Sequence, residues 1–313
     1  MRTRYRDLPK AELHLHLEGS IEPETLAELE PGLDLATARA RYQFADFQGF
    51  IQSYIWAIGR LTQPRDYALI ARRLLERLER QNVRYAEITL SAGVVLKRGQ
   101  DFAAVYDAIQ AEAEASPVEV RWIPDAVRQW GPEPAREVLR LAIERRDRGV
   151  VAFGIGGDEV AGPIEWFGDL MREARDAGLR LTIHAGETAG ADSVRKAVQL
   201  GAERIGHGIR AADDPSLLEY LRDRDIPLEI CISSNVATRA IARLEDHPVR
   251  RIYDAGVPIV LGTDDPAMFH TTLEREYELA EHQFGFTDEE LCGLVENAFR
   301  HAFAAAAFVG RLP

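Results

Sequence analysis

The stretch 179–209, LRLTIHAGETAGADSVRKAVQLGAERIGHGI, sets two short apolar runs, LRLTIHA (179–185) and RIGHGI (204–209), on either side of a more polar segment. Both runs read as β-strands, and each carries a histidine near its end. A strand that reaches its parallel neighbour needs a crossover, so strand, spacer, strand in this order implies parallel pairing. Working outward, the same kind of run recurs as AELHLHL (11–17), VRYAEITL (83–90), VEVRWIPDAV (118–127), VVAFGIG (150–156), IPLEICI (226–232) and VPIVLGT (257–263), which makes eight strand candidates. Most are separated by stretches of helical periodicity with Glu/Arg pairs at i,i+4, such as Leu74 to Arg84 and Pro134 to Arg148. Eight βα units in a chain of this length predict an α/β fold of the (β/α)8 TIM-barrel type. A doubly wound sheet is disfavoured because no G-x-G-x-x-G follows the first strand.

The 313 residues are 46% hydrophobic and 28% charged, with 38 Lys+Arg against 51 Asp+Glu and a net charge of −13. This is the composition of a folded globular chain. The acidic balance and the absence of a basic stripe exclude nucleic acid as a partner, because the phosphate backbone is repelled. Cys231 and Cys292 are too few for a disulfide framework and read as reduced core residues of a cytoplasmic protein. The N-terminus has no apolar leader, and the longest apolar run, Ala302 to Val309, is too short for a membrane span. The expectation is one domain over 1–313 with a helical insert after strand 1, at 20–80, serving as rim packing or as a lid. Thr287 and Glu290 stand in capping-box spacing ahead of an apolar helix through LCGLVENAFRHAFAAAAF that would close the barrel wall.

In such a barrel, chemistry sits where the strands end. His14 and His16 are two apart and project to the same side of strand 1. Strand 5 ends in His184, followed by Glu187; strand 6 holds His207 between Gly206 and Gly208; strand 8 ends in Asp264 and Asp265 before Pro266. Each feature alone has a structural explanation, but together they bring imidazoles and carboxylates to one rim. A zinc ion held by His14, His16, His184 and Asp264 would leave room for a water of lowered pKa. Glu187 is then placed as general acid/base, and His207 and Asp265 as groups that orient the water by hydrogen bonds. The reading is metal-assisted hydrolysis with one Zn²⁺ per chain.

LPKAELHLHLEGSIEPE (8–24), AFGIGGDE (152–159), IHAGET (183–188), IGHGI (205–209), SSN (233–235) and TDDPAMFHTTLEREY (263–277) resemble the adenosine/adenine deaminase family of the amidohydrolase superfamily, in family order. The resemblance implies a one-zinc barrel that hydrolytically deaminates a 6-aminopurine and releases ammonia. It implies His14, His16, His184 and Asp264 as ligands, Glu187 as the proton shuttle to N1, and His207 as the residue that activates the water. It also implies Asp265 beside the purine and the Gly157 N–H against a ring nitrogen.

Two departures bear on the substrate. Glu18 stands where adenosine deaminases carry the Asp that meets ribose, which resembles adenine deaminases and other nucleoside branches. Gly157-Asp158-Glu159, by contrast, is of the nucleoside type. The substrate is therefore expected to be adenosine or 6-amino-6-deoxyfutalosine of menaquinone synthesis, with free adenine as the alternative. A binuclear hydrolase would need a bridging Lys at the end of strand 4, where GIGGDEV has none. A non-catalytic purine-binding barrel should have lost one of the matched positions, and all are present. His247, His270, His282 and His301 are expected to have no direct role, with His270, which follows the double-Asp loop, as the one that could touch substrate. Arg210, Arg128 and Trp130 are candidates for the mouth, and Phe47, Phe50, Tyr54 and Trp56 for rim packing.

Overall fold

The eight apolar runs form eight strands: β1 (Lys10–His16), β2 (Val83–Leu90), β3 (Glu119–Val127), β4 (Ala152–Gly156), β5 (Arg180–Ala185), β6 (Arg204–His207), β7 (Leu228–Ile230) and β8 (Ile259–Leu261). The computed structural model describes residues 5–304. Neighbouring strands pair in sequence order, and every pairing is parallel. The sheet closes through main-chain bonds between β1 and the segment after β8: His16 N–H donates to the Asp264 carbonyl at 2.7 Å, and Asp264 N–H to the His14 carbonyl at 2.9 Å. The closing seam therefore runs through the residues expected to do the chemistry.

Strands β6 to β8 are shorter than the apolar runs suggest, because their ends leave the ladder to aim side chains. His207 and Asp264 adopt φ of 60° and 61°, left-handed values that non-glycine residues avoid outside functional sites and tight turns. Ile232, expected at the end of strand 7, instead opens the short helix Ile232–Ala237.

Between β1 and β2 lie α1 (Pro23–Leu29), α2 (Leu35–Arg41), α3 (Phe47–Ile58) and α4 (Pro64–Arg80). Asp34 and Asp46 cap α2 and α3 by accepting from the N–H groups of Thr37 and Gly49. α4 begins with Pro64 and a Gln63/Asp66 capping box. It buries Tyr67, Ile70, Ala71, Leu74, Leu75 and Leu78, a stripe at helical spacing, against the barrel wall. α4 is thus the ordinary crossover helix, and the extra structure of the 20–80 segment is α1 to α3.

The C-terminal helix is Asp288–His301, and both halves of the Thr287/Glu290 capping box are present. It stops short of the expected run through Phe308. Ala302 is extended, and Phe303 and Ala304 turn under the barrel, donating N–H to Glu87 at 2.5 Å and to the Tyr85 hydroxyl at 3.1 Å. Residues 305–308 of the expected helix lie outside the described residues.

That turn covers a buried ion network. Arg204, 1% exposed, bridges Glu87 at 2.6 Å and Glu229 at 2.5 Å, and its guanidinium stacks 3.7 Å from the Phe303 ring centroid. Burying three charges is tolerable only while they remain mutually paired. Arg204→Leu is expected to lower the unfolding free energy by about 3–5 kcal/mol, because two buried carboxylates lose their cation. Urea denaturation followed by circular dichroism measures this, and an unchanged midpoint would show that the network does not hold the barrel.

Candidate active site

His14 points into the barrel and is 4% exposed. Its ring fits because β6 offers no side chain beside it: a Cβ on Gly206 would stand 2.8 Å from His14 Cε1 and 3.3 Å from the His184 ring. His14 Nδ1 lies 2.7 Å from Glu229 Oε2, which also accepts from Thr182 Oγ1. A carboxylate only accepts, so Nδ1 carries a proton and Nε2 faces inward, 3.4 Å from Asp264 Oδ1. Nε2 is buried and has no hydrogen-bond partner.

One ligand atom each from His14, His184, His207 and Asp264 lies within 4.8 Å of the others. His16 joins them, its Nε2 standing 3.2 Å from His184 Nε2 and 3.3 Å from Asp264 Oδ1. Asp264 is steadied by the Ser234 hydroxyl, which donates to Oδ2 at 2.7 Å. Imidazoles and a carboxylate around a buried, unpartnered His14 Nε2 are a donor set that suits a borderline divalent metal such as zinc.

Glu187 follows the end of β5, and a second carboxylate shapes its loop. Glu159 accepts from the backbone N–H groups of Gly186, Glu187 and Thr188 at 2.8, 2.8 and 2.9 Å, and from Ser193 Oγ at 2.6 Å. Glu187 Oε2 lies 3.6 Å from His207 Nε2. Burial, reinforced by the charges of Asp264 and Glu159, pushes the Glu187 carboxyl up to about 8. A group so placed is available in its protonated form near neutral pH.

A cavity opens above this floor and is walled by His16, Asp125, Gly157, Glu187, His207 and Asp265, among others. Asp265 is 3% exposed, and its Oδ1 has no protein partner. Only glycine fits opposite, since a Cβ on Gly19 would stand 1.7 Å from Asp265 Oδ1. The outer wall is α3, which turns Phe47, Phe50, Ile51, Tyr54, Ile55 and Ile58 toward the space.

Several expectations are corrected. Phe47, Phe50 and Tyr54 line the cavity itself; Trp56 alone is rim packing, under the guanidiniums of Arg41 and Arg60. Glu18 is not on the cavity wall. Its Oε1 accepts from the Ser91 N–H at 3.0 Å, and it sits behind Ser91 and Tyr54, whose hydroxyls bond to each other at 2.8 Å. Trp130 lines the mouth, but Arg128 is buried and clamps the carbonyls of Gly162 and His184. Arg210 binds the Ala240 carbonyl. Cys231 is buried and Cys292 only half-buried. His270 and His282 are exposed away from this cavity, and His301 lies at the barrel's base beside Asp225.

Two residues escaped the motif reading. Glu159 stands in the quoted GGDE, yet its loop contacts are long-range. Asp125, at the inner face of β3, lines the cavity with an unpartnered Oδ1. It adjoins no motif histidine in sequence, and only its place in an apolar strand marks it.

The family model for adenosine deaminase matches residues 9–310. The chain belongs to the adenosine deaminase family. As a member it is an enzyme of hydrolytic deamination, acting on a C–N bond. Aminodeoxyfutalosine deaminase of Streptomyces avermitilis is 41% identical over 320 residues, covering 97% of this chain and 89% of that protein. Adenine deaminase of Rhizobium meliloti is 38% identical over 307 residues, covering 95% and 94%. A solved amidohydrolase of Burkholderia ambifaria with bound zinc superposes with a TM-score of 0.87 at 28% identity, covering 98% of this chain and 89% of that one. Relatives named for different purine substrates are thus nearly equally similar to this deaminase.

Glu229→Gln keeps the shape beside His14 but removes the charge that orients it. Metal affinity is expected to fall about 10–100-fold, read by chelator competition on protein whose circular dichroism is unchanged. Wild-type affinity in this variant would show that Glu229 does not serve the metal site.

Proposed function

We propose that this chain is a zinc-dependent deaminase of a 6-aminopurine nucleoside, adenosine or 6-amino-6-deoxyfutalosine. The observation that carries the reading is the convergence of His14, His16, His184 and Asp264 with the Glu187 carboxyl on one buried cavity floor. Those four side chains would hold one zinc, whose Lewis acidity makes a water nucleophilic at neutral pH. The remaining residues bind, orient and move protons. The Gly157 N–H and the unpartnered Asp265 carboxyl would hold the purine edge, each from the cavity wall. Glu187 would give its proton to N1 as water adds at C6; of the water's two protons, one would pass to the amino group, which leaves as ammonia, and the other would return to Glu187 as the C6 carbonyl forms. His207, between Glu187 and Asp264, would orient the attacking oxygen.

The α3 wall favours a nucleoside over the bare base. It extends the cavity outward with aromatic and aliphatic side chains, and Val94, Val127 and Trp130 continue the apolar lining on the opposite side. A free base presents nothing for that outer surface to bury, whereas a substituent beyond ribose does. The similarity to aminodeoxyfutalosine deaminase agrees. Glu18 then acts from behind, holding the Ser91 N–H at the cavity edge. In this reading 1–313 work as one barrel unit under an α1–α3 rim, and a content of only two cysteines suits a reducing cytoplasm.

Turnover of adenosine, 6-amino-6-deoxyfutalosine and adenine, compared by kcat/KM together with metal analysis, tests the proposal. About one zinc per chain and a nucleoside preference are expected, and preference for free adenine would overturn the nucleoside assignment. Glu187→Gln should retain zinc and lose at least about 100-fold in kcat; near-normal turnover would remove Glu187 from the proton path.

A further inference from the structure

Two histidines of the cluster present the same nitrogen, Nε2, to it in different protonation states, and the choice for His207 is made outside the site. The chain of bonds that decides it begins with a group that can only donate. Val249 N–H donates to His247 Nδ1 at 3.2 Å, so in a neutral ring the proton lies on Nε2. The ring is neutral because burial, with His207 behind it, pulls His247 down to about 3. Its Nε2–H faces Asn235 Oδ1 at 3.1 Å, which orients the amide. Asn235 Nδ2 is thereby turned to His207 Nδ1 at 3.0 Å. An amide nitrogen offers only hydrogens, so His207 Nδ1 accepts and the proton of His207 lies on Nε2. That N–H looks out between Glu187 Oε2 at 3.6 Å and Asp264 Oδ2 at 3.9 Å.

His14 is the counterexample within the same cluster. Its Nδ1 donates to a carboxylate, so Nε2 is the nitrogen that would give a lone pair to a metal. An Nε2 that carries a proton has no lone pair to give. We propose that His247 and Asn235 are positioning residues that hold His207 as an Nε2–H donor, which keeps it out of the metal's ligand set and aims it at the attacking oxygen. The proposal rests on the deaminase reading for the oxygen, but the tautomer itself does not depend on it. Position supports the assignment: Asn235 is fully buried, His247 is 4% exposed, and neither lines the cavity. Neither touches substrate, so both act only through His207.

The test uses three variants of the full-length zinc-loaded protein. Gln places an N–H where the His247 Nε2–H stands, so His247→Gln is expected to keep kcat within about 3-fold. His247→Leu frees the Asn235 amide and should lower kcat about 10-fold or more with KM nearly constant. Asn235→Asp offers His207 Nδ1 an acceptor, and should move the proton to Nδ1 and lower kcat about 100-fold while zinc content stays at wild type. The histidine ¹⁵N shifts report the tautomer directly in wild type and in each variant, including metal-free protein. Nδ1-protonated His207 in the wild type, or equal losses in the Gln and Leu variants, would overturn the proposal. Absence of zinc and of turnover on any purine would overturn the deaminase reading instead, and leave the tautomer measurement standing.

Discussion

The contact between His14 and Glu229 is the constraint on which the site and the barrel both depend. Glu229 is buried and charged, a state that burial opposes strongly. Arg204 on one side and the His14 ring on the other hold it there, and its carboxyl stays near 2. Arg204 in turn needs Glu87, and Glu87 and Arg204 are sealed by the turn at Phe303. The line of charge runs from the cluster-facing nitrogen of His14 to the underside of the barrel. Each link is tolerable only because the next is present.

Around that line, neighbouring strands divide the work. The strands β1, β3, β5 and β7 contribute His14, His16, Asp125, His184 and Glu229, while β2 adds Glu87 and β6 adds Arg204 and His207. On β4 and β6 the facing positions are glycines, Gly154, Gly156 and Gly206, and the rings and carboxylates occupy the space thus left. Alternate strands filling one layer is the ordinary interior pattern of such barrels with branched aliphatics. Here buried histidines and carboxylates stand where such barrels carry aliphatics. A methyl group on a facing strand would collide with the cluster, so the site is specified as much by the small residues as by the histidines.

The main-chain course was largely legible before the structure, because period-two apolar runs and helical stripes are local signals. Seven of the eight strands fall within the runs read from the sequence and β1 begins one residue early, at Lys10; the capping box at Thr287 marks where the last helix begins. The ends were less legible. The last helix stops at His301 because the following residues bond to Glu87 and Tyr85, partners more than two hundred positions away that no local pattern can report. The rim was misread for a similar reason: Phe47, Phe50 and Tyr54 form an apolar face, and only its placement over the mouth turns packing residues into cavity wall.

The sequence by itself determined the alternating architecture, the residues that converge at the strand ends and the family they belong to, since strand periodicity and motif order are properties of the chain read in line. Tertiary structure alone decided how those residues are supported and oriented. Glu18 turned away from the cavity because the Ser91 N–H lay within reach. Glu159 became the brace of the Glu187 loop because the backbone N–H groups after β5 and the Ser193 hydroxyl of the next helix curl around it. His247, without function in the linear reading, became the far end of the relay to His207. Hydrogen-bond direction depends on which atoms meet across the fold, and no spacing along the chain encodes it.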